Sequence, residues 1–310
     1  MNPRWCSMNQ NKKAWLYLAI AILSFSSYEV VSKTVTAYIH PTQLTFIRFL
    51  TGSLCLLPFA LRDLKRGIRL TGKDIIKMFC LGSLNVVVSM NLIQMGYQYT
   101  NANLSAVIIS SNPIFIAFLS TFLLNERLER KKLIGLLIGI CGVAVAVGGT
   151  GALIGTHMLW GIGLQIIGML CFSLFTVLGK KSSLKMGSCV MTTFTGLLGS
   201  IALLPFLLIQ GTLPWDFELR AIPFQMLYIC VFNTGIAFYL YFRALEALDT
   251  GTGSMSFFAK PLLAGVWAAL FLGETMTWQL FMGILFVAAG IYLAMLSTPQ
   301  KTAPTDNDSF

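Results

Sequence analysis

Ten stretches of about twenty apolar residues, separated by short polar breaks, leave this chain very few folds to choose from. A hydrocarbon core about 30 Å thick takes about twenty residues of helix at 1.5 Å each. The runs fall at 14–35, 42–61, 75–97, 103–124, 132–149, 158–180, 188–209, 224–244, 253–273 and 278–297. None alternates apolar with polar residues as a barrel strand does, and in lipid each segment must pair its own backbone groups. The expected fold class is an all-α polytopic membrane protein with ten transmembrane helices. A charged fraction of 11% excludes an ordinary soluble domain, which carries about 25%. The net charge of +10 would point to nucleic acid in a soluble protein, but here it sits in the breaks between spans.

Those basic residues set an expected direction. Eighteen of the 22 Lys and Arg fall on one side if the spans alternate, in segments that include Arg62 to Lys77 and Arg127 to Lys132. Lys33 and Arg220 fall on the other side, and Arg48 and Lys260 lie within spans. Both termini are therefore expected to be cytoplasmic. The localisation that follows is integral and multi-pass, in the cytoplasmic (inner) membrane if the source is bacterial. Residues 1–13 read as a cytoplasmic N-terminus leading into an uncleaved first span, and 298–310 as a disordered cytoplasmic tail. Cys6, Cys55, Cys80, Cys141, Cys171, Cys189 and Cys230 are scattered without CxxC or a paired His, so neither disulfides nor a metal site is expected.

The chain also repeats itself. Gly52, Ser53, Leu56, Leu57, Pro58, Phe59 and Leu61 return 147 positions later as Gly199, Ser200, Leu203, Leu204, Pro205, Phe206 and Leu208. At a spacing of 148, Asn85, Pro113, Leu124, Glu126, Gly135 and Gly142 are matched by Asn233, Pro261, Leu272, Glu274, Gly283 and Gly290. The repeats are bounded at 14–149 and 158–297. Five spans is an odd number, so the second copy enters the membrane from the opposite face. Two inverted five-helix repeats can exchange conformations and so open to either side in turn, which is the construction of secondary transporters.

Pro113 followed by Glu126, Gly135 and Gly142, and again Pro261 followed by Glu274, Gly283 and Gly290, resembles the EamA-type members of the drug/metabolite transporter superfamily. The resemblance covers residues 14–297. It implies a ten-helix fold with a central cavity and transport of small metabolites, and it transfers no particular substrate.

Candidate site residues follow from polar groups placed inside apolar runs. Pro113 and Pro261 are expected helix breaks, since a mid-helix proline frees a backbone carbonyl. Asn112 and Lys260 stand just before them. Asn85 and Asn233 lie about 15 Å into their helices at 1.5 Å per residue, near the midplane. They line a cavity or, alternatively, serve only to hold helices together. A buried lysine is costly in lipid, so Lys260 is expected to face a cavity and hold an anionic group, with snorkelling as the alternative. Glu29 and Arg48 fall at equal depth, roughly 10 Å below the outer surface, and read as an ion pair that either braces or gates. Asn91, Gln94 and Gln98 share one face of span three at helical spacing. Tyr28, Tyr239 and Tyr241 offer aromatic walls, though core packing accounts for such residues more often than ligand contact does. Glu126 and Glu274 sit at hairpin turns, where an architectural role is expected. Gly135 and Gly139 form a GxxxG pattern for close helix packing, internal or at a homodimer face.

The expected function is movement of a small metabolite (amino-acid-like, nucleoside-like or an organic anion) by alternating access. Export or exchange is favoured over ATP-driven uptake, because no ATP-binding motif is present. The partners are the solute and membrane lipid, and no cofactor is called for. A membrane-embedded enzyme is the rival class; a nucleophile with a nearby base, or metal-ligand spacing, would mark it, and neither occurs. A passive channel is the other alternative.

Overall fold

The computed structural model describes residues 3–35, 37–100, 105, 108–109, 112–126, 129–147, 156–272 and 278–295, and no strand occurs among them. The helices are α1 (Pro3–Val35), α2 (Pro41–Lys65), α3 (Gly72–Gly96), α4 (Asn112–Leu123), α5 (Arg130–Val147), α6 (Thr156–Met186), α7 (Ser188–Ile209), α8 (Pro223–Leu245), α9 (residues 250–272) and α10 (Trp278–Met295). Among the described residues, six segments are long and apolar enough to cross a membrane: Asn11–Ser32 within α1, α2, α3, Leu159–Met186 within α6, α7 and α8. Asn112–Leu123 and Phe281–Gly290 are shorter apolar helices. Parts of expected spans four and nine, the tail at 298–310 and Glu274 lie outside the described residues, as do the side chains of Glu29, Lys33 and Pro261.

Local chemistry sets the helix starts. His40 caps α2, accepting from the Thr42 backbone while Gln43 returns a bond to the His40 N–H, with Pro41 at the first helical position. Thr71 and Asp74 make the equivalent reciprocal box at α3. Asp249 caps α9 by accepting from the Thr252 backbone. Between α6 and α7 the chain reverses on Gly187 alone, whose φ of 81° lies in the left-handed region that favours glycine.

Two helices are locally widened. Ser83–Met90 within α3 and Tyr228–Ile236 within α8 are π-helical. They contain Asn85 and Asn233, so matching points of the two repeats carry the same rare distortion. Inside the second, the Thr234 hydroxyl donates to the Ile229 carbonyl five residues back, at 2.9 Å. Such insertions recur at functional sites. In α9 a 3₁₀ turn, Met255–Ala259, runs directly into the helix that begins at Lys260 and Pro261.

The outer surface is apolar where that of a water-soluble protein is polar, and many polar side chains join the apolar core inside. Leu16, Ile20 and Leu23 face outward along one side of α1, and Ile209, Phe224 and Trp160 are exposed elsewhere. Ser26, Thr45, Ser89, Thr193 and Asn85 are buried. Apolar surface at this density belongs against lipid rather than water.

The repeats pack crosswise. α1 lies on α8 and α9, while its counterpart α6 lies on α3 and α4; α2 lies on α8, and its counterpart α7 on α3. The repeated glycines explain the closeness. A Cβ at Gly52 would stand 2.6 Å from the Cys230 carbonyl oxygen and 2.9 Å from the Gly235 nitrogen. One at Gly199 would collide with the carbonyl of Gly82, which is Cys230 less 148 positions. Small residues there let helix backbones of different repeats touch. The GxxxG pair of α5 is used the same way: a Cβ at Gly290 of α10 would lie 2.7 Å from the Gly135 oxygen and 3.1 Å from the Gly139 nitrogen. That motif therefore packs within the chain.

Candidate functional site

A cavity of about 510 Å³ lies between α1, α2, α3, α6, α8 and α9, toward the end of the bundle where α2 begins. Each helix contributes through its local geometry. Phe25 and Tyr28 stand three residues apart on one face of α1, and Arg48 lies seven residues into α2. Ile93, Gln94 and Tyr97 close the end of α3, Phe172 comes from α6, Asn233 and Phe238 from α8, and Phe257 and Lys260 from α9.

One pole of the cavity is polar. Arg48 is only 3% exposed, with its guanidinium carbon 4.6 Å from the Tyr28 ring centre and 4.9 Å from that of Phe49. Cation–π contacts of this kind contribute about 0.5–2 kcal/mol without satisfying any N–H group. The Tyr28 hydroxyl donates to Gln94 Oε1 at 2.7 Å, which turns the Gln94 amide nitrogen away from Tyr28. Asn233 Nδ2 donates to the Ser24 carbonyl at 2.5 Å, and Ser27 Oγ shares a 2.6 Å bond with the Tyr228 hydroxyl, so α8 is held to α1 beside the cavity. Lys260 is buried with its ammonium 6.0 Å from the Phe257 ring centre.

The floor is aromatic. Phe25 stacks on Phe257 with centroids 6.0 Å apart and meets Phe238 edge-on at 5.1 Å. Phe172 meets Phe257 edge-on at 5.9 Å, and Tyr241 meets it at 5.4 Å. Phe238 also borders a second cavity of about 280 Å³ deeper in the bundle, which Asn85 and Thr192 line.

Beyond that floor, at the end where α2 finishes, the turns are tied by buried ions. Lys180 Nζ, 2% exposed at its side chain, lies 2.8 Å from Glu126 Oε1 and donates to the Leu248 carbonyl at 2.7 Å. The Thr250 backbone N–H and hydroxyl both donate to Glu126. Burial pushes the Glu126 carboxyl up, but the charge and hydrogen bond of Lys180 and the bonds from Thr250 outweigh it and hold it below its ordinary value. Lys132 pairs with Asp249 at 2.5 Å, Lys185 with Asp74 at 2.7 Å, and the Ser188 N–H donates to Glu246 at 2.8 Å. These contacts join α3, the α4–α5 turn, the α6–α7 turn and the α8–α9 turn.

The structure gathers Lys260, Asn233, Gln94, Arg48 and Tyr28 around the larger cavity, and Asn85 at the smaller. Asn112 is fully buried and its Oδ1 accepts from Ser173, so it lines neither. Asn91 is buried away from both, and Tyr239 packs against the main apolar cluster. Pro113 is buried at the second residue of the described α4. Gln98 is exposed in the turn beyond α3, because that helix ends at Gly96 before the expected face is completed. The Glu29–Arg48 pair cannot be read from the described side chains, which exclude that of Glu29. The four floor phenylalanines and Tyr97 escaped sequence reasoning, since aromatic residues in apolar runs carry no mark of which way they face. Lys180 stands in a run with Lys181 and Lys185 that reads as loop charge, although Lys33 lies 147 positions before it at the repeat spacing.

A helical bundle with apolar outer faces and several segments long enough to cross a bilayer defines an integral, multi-pass membrane protein. The chain belongs to the EamA-like transporter family, whose model matches residues 12–148 and again 159–296. It is 28% identical over 288 residues to a protein of Clostridium kluyveri described as an uncharacterized transporter, covering 90% of this chain and 92% of that one. It is 30% identical over 294 residues to YetK of Bacillus subtilis, likewise described, covering 94% and 89%. A solved structure matches with a TM-score of 0.75 over 92% of this chain and 97% of that one; at 18% identity the likeness is one of fold.

Proposed function

We propose that the protein is a secondary transporter that moves a small metabolite by alternating access, through ten spans arranged as two inverted five-helix repeats. The observation that carries this reading is an asymmetry. A cavity of about 510 Å³ with Arg48, Gln94 and Asn233 in its lining lies toward one end, and the opposite end is tied by Lys180–Glu126 and Lys132–Asp249. Crosswise packing then gives a route to the opposite arrangement, because equivalent contacts are available to both halves. On the charge distribution, the tied end is cytoplasmic and the cavity lies toward the outside. Export or exchange is favoured, and Glu29 with Arg48 is where coupling or gating would act.

The test uses purified protein in liposomes and measures counterflow against pools of amino acids, nucleosides and small organic acids. Saturable, trans-stimulated exchange of one pool is the expected result. Flux that neither saturates nor shows counterflow would instead mark a channel.

A further inference from the structure

Buried side-chain atoms without a hydrogen bond are informative because each costs about 1–3 kcal/mol in desolvation unless something meets it. Among the lining residues of the larger cavity there are two such atoms, Arg48 Nε and Gln94 Nε2. Both are N–H donors. The smaller cavity differs, since its unpartnered groups are the Asn85 oxygen and the Thr192 hydroxyl. No carboxylate occurs among the described lining residues of the larger cavity, and no described acidic group forms an ion pair with Arg48.

We propose that the larger cavity is a carboxylate-selective site, in which Arg48 and the Gln94 amide receive the solute's carboxylate and the phenylalanine floor receives an apolar body. The proposal rests on the transporter reading and narrows its substrate class to apolar monocarboxylates, setting nucleosides aside. Two donors require a ligand end made of acceptors. A guanidinium fixed between two aromatic rings presents its N–H groups in a planar fork that matches the two oxygens of a carboxylate. Gln94 adds a neutral donor whose direction is set by Tyr28, so the pole recognises shape as well as charge. Phe25, Phe172, Phe238 and Phe257 then exclude water from the other end of the solute, which favours a ring or branched chain over a second charge.

The experiment measures equilibrium binding to the purified full chain in detergent and counterflow in liposomes. The probes are phenylalanine, 3-phenylpropionate and phenylpyruvate, their amides or methyl esters, phenyl phosphate and uridine. At least one carboxylate is expected to bind saturably and to lose about tenfold or more on amidation, the ratio one charge-assisted hydrogen bond supports. Arg48→Gln should erase that acid-to-amide ratio, and Gln94→Glu, which keeps size and adds a like charge, should invert it. Both variants are checked for an unchanged elution profile and melting midpoint, and the ratio is read within each variant, so a loss of folding does not mimic the result. Equal binding of acid and amide, preference for phenyl phosphate or uridine, no saturable carboxylate binding, or an unaltered ratio in both variants overturns the assignment. Saturable counterflow of uridine or an amide would do so while leaving the transporter reading intact; absence of saturable counterflow for every solute pool would remove both.

Discussion

Lys180 and Glu126 lie 2.8 Å apart across the boundary between the two repeats, each almost wholly withdrawn from solvent. The lysine belongs to α6 of the second half and the carboxylate follows α4 of the first, and Thr250 at the first position of α9 completes the acceptor's bonding. Removing one partner of a buried pair strands the other, at a cost of about 3–5 kcal/mol. Glu126→Gln and Lys180→Met should each lower the melting midpoint in detergent well below that of an exposed control such as Lys181→Met. Midpoints indistinguishable from the control would show that the pair holds nothing together.

The same pair has a defined pH window. Because the folded-state value of Glu126 is lowered, its stabilisation is complete above the free carboxylate's value of 4.5 and is withdrawn as pH falls through the lowered one. Wild-type stability should therefore hold across neutral pH and fall in acid. The acid loss should shrink in Glu126→Gln, as melting curves from pH 3 to 7 would record, the range being about that of carboxylate titration.

Gly52 and Gly199 occupy equivalent crossing points, so alanine should be tolerated equally badly at both. Each Cβ meets backbone of the opposite repeat, and overpacking of this kind costs about 1–3 kcal/mol. Gly163→Ala, whose Cβ meets nothing within 4 Å, should be neutral or slightly stabilising. Thermal midpoints of the three variants decide the matter; a loss at Gly163 equal to the other two would remove the crossing-point explanation.

Asp249 has two tasks that can be separated. It caps α9 and pairs with Lys132. Asp249→Asn keeps a capping oxygen and loses the charge, whereas Asp249→Ala loses both, so the alanine variant should be less stable by about 1 kcal/mol, the usual value of a cap. Equal midpoints for the two variants would mean the cap contributes nothing here.

Glu29, proposed to gate or couple together with Arg48, can be tested by neutralising its charge. Glu29→Gln should abolish the pH dependence of counterflow, or halt gating, while leaving the protein folded. An uptake rate and pH profile matching wild type would exclude Glu29 from both roles.

The apolar runs made the helices legible and the GxxxG spacing the close packing at Gly135 and Gly139, because burial in lipid and close backbone contact each leave a compositional mark. The inward-facing set was harder to read. Asn91 and Gln94 look alike on a regular helical wheel and both follow the π segment Ser83–Met90, yet only Gln94, about 4.5 Å farther along the axis toward the cavity end, reaches the larger cavity. Lys180 and Lys181 are neighbours in a basic run, but one is buried on Glu126 while the other is exposed. Which of two adjacent lysines turns inward depends on a carboxylate 54 positions away, and no local pattern records it.

The crosswise contacts bear on assembly. If α1 and α2 find their partners in the far half, and α6 and α7 in the near one, a lone five-helix unit has no complete interior of its own. Either half made alone would leave those inner faces bare, so the two halves should insert and mature only in each other's company.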